Sequence, residues 1–412
     1  MAGYCFSKWS KFLFNGDKVI IGNGYSGKWT KITKECYEIV KEGIEKEYSI
    51  NQVLEFFTDP EDKLYLTELF ECLQKIDVIK EAGKIEEEPS IGVVIGITQK
   101  CNLKCRHCFV SASPEISQEL SYDDVISIIN KLTSIDCTSI TFTGGEPLCH
   151  EKFLQILEYT RKNYKGTISL MTNGTLISNE NVKQIIKNVD RIDISIDGIN
   201  EDTCSKIRGQ GVFNKVINTI HLLHSYDFTE ISLSMVMTKE NSKYADQFDE
   251  LNKELGTKPL KRLFSPVGRG ERNKEEFKTQ IEPKERKAMD VTKARQLLKV
   301  CHCGAFSRTL YISYDGNLYP CNTLDKPKYA LGNIYDFLRQ DDFLERCRHR
   351  SNTGYMNLQS IYPENYDKCK DCNVNLFCWE CVHLIDMWKT GNIEITDCSQ
   401  RQSDLQEIIW ND

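Results

Sequence analysis

The chain has 412 residues, 40% hydrophobic and 27% charged, with a formal net charge of −7 and 18 cysteines. That length predicts two or three domains of an ordinary soluble globular protein. No apolar run reaches the ~20 residues that cross a bilayer, and no basic block attracts nucleic acid, so neither membrane nor nucleic acid is an expected partner.

The opening stretch, MAGYCFSKWSKFLFNGDKV, lacks the apolar core and small-residue cleavage site of a secretory signal. A cytoplasmic address is therefore expected, and thiols stay reduced there, so clustered cysteines read as metal ligands rather than as disulfides. Within residues 1–80, FLFNGDKVIIGNGYSGKWTKIT predicts short strands joined by Asn-Gly and Ser-Gly turns. Helices are predicted at 34–46, 49–57 and 60–76; the last carries Leu64, Leu66, Leu69, Phe70, Leu73 and Ile76 at helical spacing. Strands followed by three helices predict a winged-helix-like module. Its 11 Lys, no Arg and 13 acidic residues give the wrong sign for a duplex reader. EAGKIEEEPS, 81–90, reads as a linker.

Strands are then predicted at 93–98, 139–143, 167–172, 191–196, 231–238 and 261–267, with amphipathic helices between them. Ser121 and Asp124 form a capping box before the first of those helices, whose apolar face is Val125, Ile128, Ile129, Leu132 and Ile135. Repeated strand–helix units predict an α/β fold of parallel strands with helices outside, an open or closed barrel with its chemistry at the carboxyl ends of the strands. Residues 271–300 look helical, and 301–412 form a cysteine-rich end with little periodicity, where metal stands in for a hydrophobic core.

CNLKCRHC, 101–108, directly follows the first barrel strand. A structural zinc site is closed by four ligands, yet Cys101, Cys105 and Cys108 have no fourth thiol nearby, and His107 between two of them would be strained. A four-iron cluster on three cysteines leaves one iron open to a small molecule. The CxxxCxxC spacing resembles the signature of radical S-adenosylmethionine (SAM) enzymes. The resemblance implies a partial (β/α)6 TIM-like barrel and a [4Fe–4S] cluster whose open iron binds SAM. It also implies reductive cleavage of SAM to a 5′-deoxyadenosyl radical that abstracts a substrate hydrogen. TGGEP, with Gly144, Gly145 and Glu146, resembles the family's loop for the methionine amino group; two glycines permit close backbone approach, and a carboxylate suits an ammonium. TNGT, with Asn173, and SIDG, with Ser195, resemble loops around the ribose and carboxylate. Arg208 resembles the arginine that pairs with the methionine carboxylate, and Arg269 a residue of the barrel mouth. Cys149 and His150 read as structural. The scattered Cys5, Cys36, Cys72, Cys137, Cys149, Cys204 and Cys347 read as small buried hydrophobes.

In the last segment, Cys301, Cys303, Cys321, Cys369, Cys372, Cys378, Cys381 and Cys398 are too many for one zinc site and suit two four-ligand clusters. With Gly316 to Cys321 as Gly-x4-Cys, they resemble the SPASM extension, except that two residues rather than three separate Cys378 from Cys381. The resemblance implies two auxiliary [4Fe–4S] clusters. One takes Cys321 and Cys381 with Cys301, Cys303 or both; the other takes Cys369, Cys372, Cys378 and Cys398. It further implies a 1–80 peptide-recognition element, a 91–300 radical SAM barrel and a 301–412 SPASM domain. Asn322 stands where sulfatase maturases carry an aspartate, which points instead to maturases of ribosomally made peptides. The expected reaction is thioether formation in a precursor peptide whose leader binds residues 1–80, with reduced flavodoxin or ferredoxin as electron donor. Carbon–carbon cross-linking, epimerisation or side-chain oxidation is the alternative.

Overall fold

Val19, Ile20 and Ile21 are three consecutive apolar residues, all fully buried, and they identify a strand covered on both faces. They belong to a computed structural model that describes residues 3–84, 90–135, 137–238, 240–277, 291–379, 381–391, 393 and 398–411. Residues 85–89 of the expected linker and 278–290 of the expected helical stretch lie outside the described residues. By packing, the chain falls into two compact units: Met1–Pro89 with Glu282–Ser307 and Gln359–Asp412, and Ser90–Ile281 with Arg308–Leu358.

In the first unit, β1 (Tyr4–Phe6), β2 (Ser10–Asn15), β3 (Lys18–Asn23) and β4 (Trp29–Thr33) precede α1 (Lys34–Glu45), α2 (Ile50–Glu55) and α3 (Pro60–Lys75), and β5 (Ile79–Glu81) returns to pair antiparallel with β1. The helices begin where the sequence supplies caps: Thr33 for α1, a Ser49–Gln52 capping box for α2, and Asp59 with Pro60 for α3. Leu64 is the exception on the predicted face of α3 and is exposed. β2, β3 and β4 form an antiparallel sheet. Val19 and Ile21 face a core with Val40, Leu66, Phe70 and Leu73, whereas Ile20 joins Val300, Val374, Leu376 and Trp410 in a second core. The inventory of sheet and helices is what a winged-helix-like module requires, without making the arrangement one. Its sheet also shares a core with residues far along the chain, which the sequence did not announce.

In the second unit, β6 (Gly92–Thr98), β7 (Ser139–Gly144), β8 (Thr167–Thr172), β9 (Arg191–Ser195), β10 (Ile231–Met237) and β11 (Lys258–Leu263) lie side by side in chain order, all parallel. The helices between them are α4 (Tyr122–Ser134), α5 (Phe153–Asn163), α6 (Val182–Asn188), the pair α7 (Glu201–Arg208) and α8 (Val212–His224), and α9 (Ala245–Leu255). Ile95, Ile140, Phe142, Ile168, Leu170, Ile192 and Ile194 are fully buried, as are Val125, Ile128, Ile129 and Leu132 on α4. Each such side chain contributes roughly 1.5–3 kcal/mol by leaving water. This is the expected α/β architecture with a parallel central sheet.

Two details differ from the sequence reading. β11 ends at Leu263, whereas the apolar run LFSPV placed the last strand at 261–267. As an edge strand exposed along most of its length it carries no apolar run to mark it, and Pro259 is tolerated there. A seventh parallel strand, β12 (Thr309–Ile312), pairs with β6 and continues through β13 (Asn317–Tyr319) and β14 (Gly332–Asn333) as antiparallel neighbours. Part of the cysteine-rich end thus extends the main sheet. Among the described residues no helix is long and apolar enough to cross a membrane.

Candidate functional site

The three-cysteine loop leaves β6 and is held from three directions. Arg106 donates its backbone N–H to the Ile207 carbonyl at 2.9 Å, fixing the loop against the end of α7. Arg269 donates to the carbonyls of Cys105 (2.7 Å), Ser111 (3.0 Å) and Ala112 (2.5 Å), and Asn273 donates to that of Arg106 at 2.8 Å. Gly268 takes φ +57°, and a Cβ there would come 2.1 Å from the Phe109 carbonyl oxygen. Arg269 therefore clamps the loop backbone rather than facing an open mouth. Cys101 and Cys105 are buried and Cys108 half-buried. Burial pushes the Cys101 thiol up to about 12; it pushes Cys105 up as well, opposed by the Arg208 charge.

TGGEP closes on the same loop. A Cβ on Gly144 would lie 2.3 Å from the Thr98 carbonyl oxygen, and one on Gly145 would lie 2.3 Å from that of Lys100. Only glycine lets the two backbones touch. The Gly145 and Glu146 N–H groups then bond the carbonyls of Thr98 (2.6 Å) and Lys100 (2.9 Å). Glu146 is fully buried, and burial raises its carboxyl despite its donors. Those donors are the Thr172 hydroxyl at 2.8 and 2.9 Å and the N–H groups of Asn173 (2.7 Å) and Leu148 (3.2 Å). Glu146 is thus the post on which the TNGT loop hangs, and Asn173 points its amide back at Asn102 (2.9 Å) and the Cys101 sulfur (3.8 Å). Ser195 ends β9, half-buried and in register with Ser234.

SIDG contributes a residue that the sequence reading passed over. Asp197, fully buried at φ +56°, accepts from His107 Nε2 (2.6 Å), Arg208 Nε (2.6 Å) and the Val236 N–H (2.6 Å). Burial alone would raise its carboxyl; Arg208 and His107 overcome that and hold it well below the usual carboxylate range. The same pairing holds Arg208 charged. Arg208 is accordingly no solvated surface arginine, and its remaining N–H reaches 3.9 Å from the Cys105 sulfur. His107 is an Asp197 donor. The one trace of this hub in the sequence is Asp197 directly after a strand end; its partners come from the end of α7 and from the cysteine loop.

Of the remaining predicted thiols, Cys369, Cys372, Cys378 and Cys398 lie in the first unit; burial raises the Cys369 and Cys378 thiols, and the nearby sulfurs of Cys372 and Cys398 add to the rise in both. Cys301 and Cys303 neighbour each other in that unit. Cys321 belongs to the second unit, its sulfur 3.1 Å from the Thr323 hydroxyl, and Cys381 is half-buried in the first. Among the described residues no three His, Cys, Asp or Glu side chains converge on a single-ion site. Of the scattered cysteines, Cys137, Cys204 and Cys347 are buried as expected, while Cys5, Cys36, Cys72 and Cys149 are half-buried. His150 is buried and bonds the Leu120 carbonyl at 3.0 Å, a structural role.

Residues 95–251 match the Radical SAM superfamily, and residues 301–373 match SPASM, an iron–sulfur cluster-binding domain. Over 176 residues the chain is 30% identical to the mycofactocin maturase MftC of Mycolicibacterium smegmatis, covering 42% of this chain and 44% of that protein. Over 285 residues it is 27% identical to AlbA of Bacillus subtilis, an antilisterial bacteriocin subtilosin biosynthesis protein, covering 62% and 60%. The chain thus matches less than two thirds of the length of these curated relatives. In fold it resembles Streptococcus suis SuiB bound to precursor peptide SuiA (TM-score 0.53, 16% identity, 94% of this chain and 97% of that one). It also resembles anSMEcpe with bound AdoMet (TM-score 0.56, 20% identity, 78% and 97%).

Proposed function

We propose that this chain, which carries a radical SAM domain and a SPASM domain, is a maturase that joins a cysteine sulfur to a carbon within a ribosomally made precursor peptide. The radical SAM domain binds a [4Fe–4S] cluster with SAM, and the SPASM domain binds auxiliary iron–sulfur clusters. When bound, the cluster and SAM supply the one-electron reduction from which C–H cleavage starts.

The donor set suits those groups. Cys101, Cys105 and Cys108 offer three thiols on a loop whose backbone is already fixed. Arg208 keeps a positive charge beside Cys105, which favours its thiolate. Gly144 and Gly145 bring the backbones of 98–100 and 144–146 together beside that loop, where carbonyls can accept from an ammonium. Glu146 orients Asn173, and Asn173, Ser195 and Arg208 line the carboxyl-end face on which SAM would lie. Cys369, Cys372, Cys378 and Cys398, all in the first unit, would hold one auxiliary cluster.

The observation that carries the reading is the convergence of the cysteine loop, the Gly144–Glu146 turn and the Asp197–Arg208 pair on one end of a parallel sheet. Each thioether removes one hydrogen from carbon and one from sulfur, a net two-electron oxidation, and auxiliary clusters provide an outlet for an electron. The edge strands β2 and β4 offer main-chain groups to an extended leader peptide. Reduced flavodoxin or ferredoxin would supply electrons. Because β3 shares a core with residues beyond 290, the test uses the full chain. Incubated without oxygen with a cysteine-bearing precursor, SAM and a reductant, it should lower the peptide mass by two hydrogens per bridge. An unchanged mass, or a change that leaves every cysteine free for alkylation, removes the thioether assignment.

A further inference from the structure

A parallel sheet covered on both faces reads as continuous apolar runs. The strands of the second unit alternate instead. Ile140, Phe142, Ile168, Leu170, Ile192 and Ile194 are fully buried, and Phe142 meets Phe153 of α5 edge-on at 5.7 Å, which marks theirs as the helix-covered face. The positions between them point the other way: Thr141, Thr143, Met171, Asp193 and Ser195 are half-buried, and Ser169 is buried. That second face is polar and partly exposed. Asp193 sits on it in β9, an interior strand of the sheet, level with Met171 on β8 and Ser232 on β10. Among the described residues Asp193 has no hydrogen bond and no ion pair. The cations nearby in register are drawn elsewhere: Lys258 bonds Glu230 at 2.7 Å and, with Arg191, holds that carboxyl below its ordinary range. Glu146 and Asp197, at the carboxyl end of the same sheet, are engaged by their own donors. Of these three carboxyls, only Asp193 lacks a partner.

A carboxylate that faces water is hydrated. A substrate lying on this face displaces that water, and a charge buried in this way is costly unless it is paired. The hydroxyls of Ser195 and Ser232 can satisfy its lone pairs but not its charge; a cation does both. Asp193 comes two residues before Ser195, hence about 6–7 Å further from the carboxyl end at which SAM would lie. The flexible four-carbon stem of a lysine suits such a step. We propose that Asp193 receives the ammonium or guanidinium of a basic residue in the modified segment of the precursor peptide and so selects which peptide, in which register, meets the radical. This rests on the reading of the chain as a peptide maturase.

The test uses the reconstituted full chain and the cysteine-bearing precursor of the mass assay. Each lysine of its modified segment is replaced in turn by acetyl-lysine and each arginine by citrulline, which keep the stem and remove the charge. With wild-type protein, one replacement should raise KM for the peptide by about tenfold or more. With Asp193→Asn, which keeps the size and removes the charge, the unaltered peptide should already show that rise, and the same replacement should then change KM by less than about twofold. Equal effects of the replacement in both proteins overturn the inference, because a merely structural role would leave peptide and protein changes additive. A weaker Kd for SAM in Asp193→Asn also overturns it, by assigning the carboxylate to SAM. If that variant fails to fold, the wild type decides alone: bridging with unchanged kcat/KM when every basic residue of the segment is neutralised overturns the inference and leaves the thioether reading standing. A mass unchanged with every peptide removes that reading, and the inference with it.

Discussion

The two groups of thiols differ in the reach of what holds them. Around Cys101–Cys108 the bonds are long-range: Ile207, Arg208, Arg269 and Asn273 lie about one to two hundred residues along the chain. Around Cys369–Cys372 they are local, whereas Asn373 to Cys378 are tied to Trp410, Cys301 and Arg401. Cys369 bonds Tyr366, Cys372 bonds Cys369, Asn375 bonds Cys372, and the Asn375 side chain returns to the Cys369 carbonyl at 3.0 Å. A loop tied to a barrel is set when the barrel folds. A chain of tight turns has little to resist opening, so metal completes it. The difference predicts which loop survives iron removal.

Chelation tests this first, with the largest effect. Backbone amides of 101–108 should keep their protection from hydrogen exchange in the apo protein, while those of 366–372 lose most of theirs. Equal loss in both would erase the contrast. Substitution then separates the two chemically. Cys105→Ala should abolish reductive cleavage of SAM and lose about four of about twelve irons, leaving auxiliary iron in place. Cys372→Ala should lose a similar share yet retain the cleavage of SAM. Retained cleavage in Cys105→Ala would remove the central assignment.

Next in size is the hub behind the first loop. Asp197→Ala leaves the Arg208 charge buried without its carboxylate, and breaking such a pair costs about 3–5 kcal/mol. The apo protein should unfold at correspondingly lower denaturant. The reconstituted protein should lose iron from Cys101–Cys108 and keep it at Cys369–Cys398. An unaltered denaturation midpoint would make the His107–Asp197–Arg208 network incidental.

The contrast also explains what could be read in advance. Cysteine spacings and TGGEP are local facts, and buried strands such as VVIGIT announce themselves by apolar content. Asp197 meets His107 and Arg208 only because the end of β9, the end of α7 and the cysteine loop come together, so no window of sequence contains the hub. Edge strand β11 hides for the opposite reason, exposing most of its side chains. The shared core of Ile20 with Val300 and Trp410 depends on pairing across most of the chain length. Composition alone does not encode it.

The smallest effect concerns a carboxyl that lacks the donors Asp197 enjoys. Asp325 follows the Gly-x4-Cys stretch, half-buried, and burial pushes it up to about 7, with Asp315 adding to the rise and its own backbone N–H and Lys326 opposing it. Because the folded value lies above the unfolded one of about 4, the neutral form is the one the fold favours. Its stabilising contribution is complete below about pH 4 and is lost as pH rises through about 7. Asp325→Asn removes that titration. The variant should match wild type near pH 4 and exceed it at pH 8 by on the order of 1–2 kcal/mol, after allowance for solvent screening of a half-buried group. Thermal melts at the two pH values decide it. A difference that does not change between them would mean that Asp325 ionises freely, and that burial costs this carboxyl nothing.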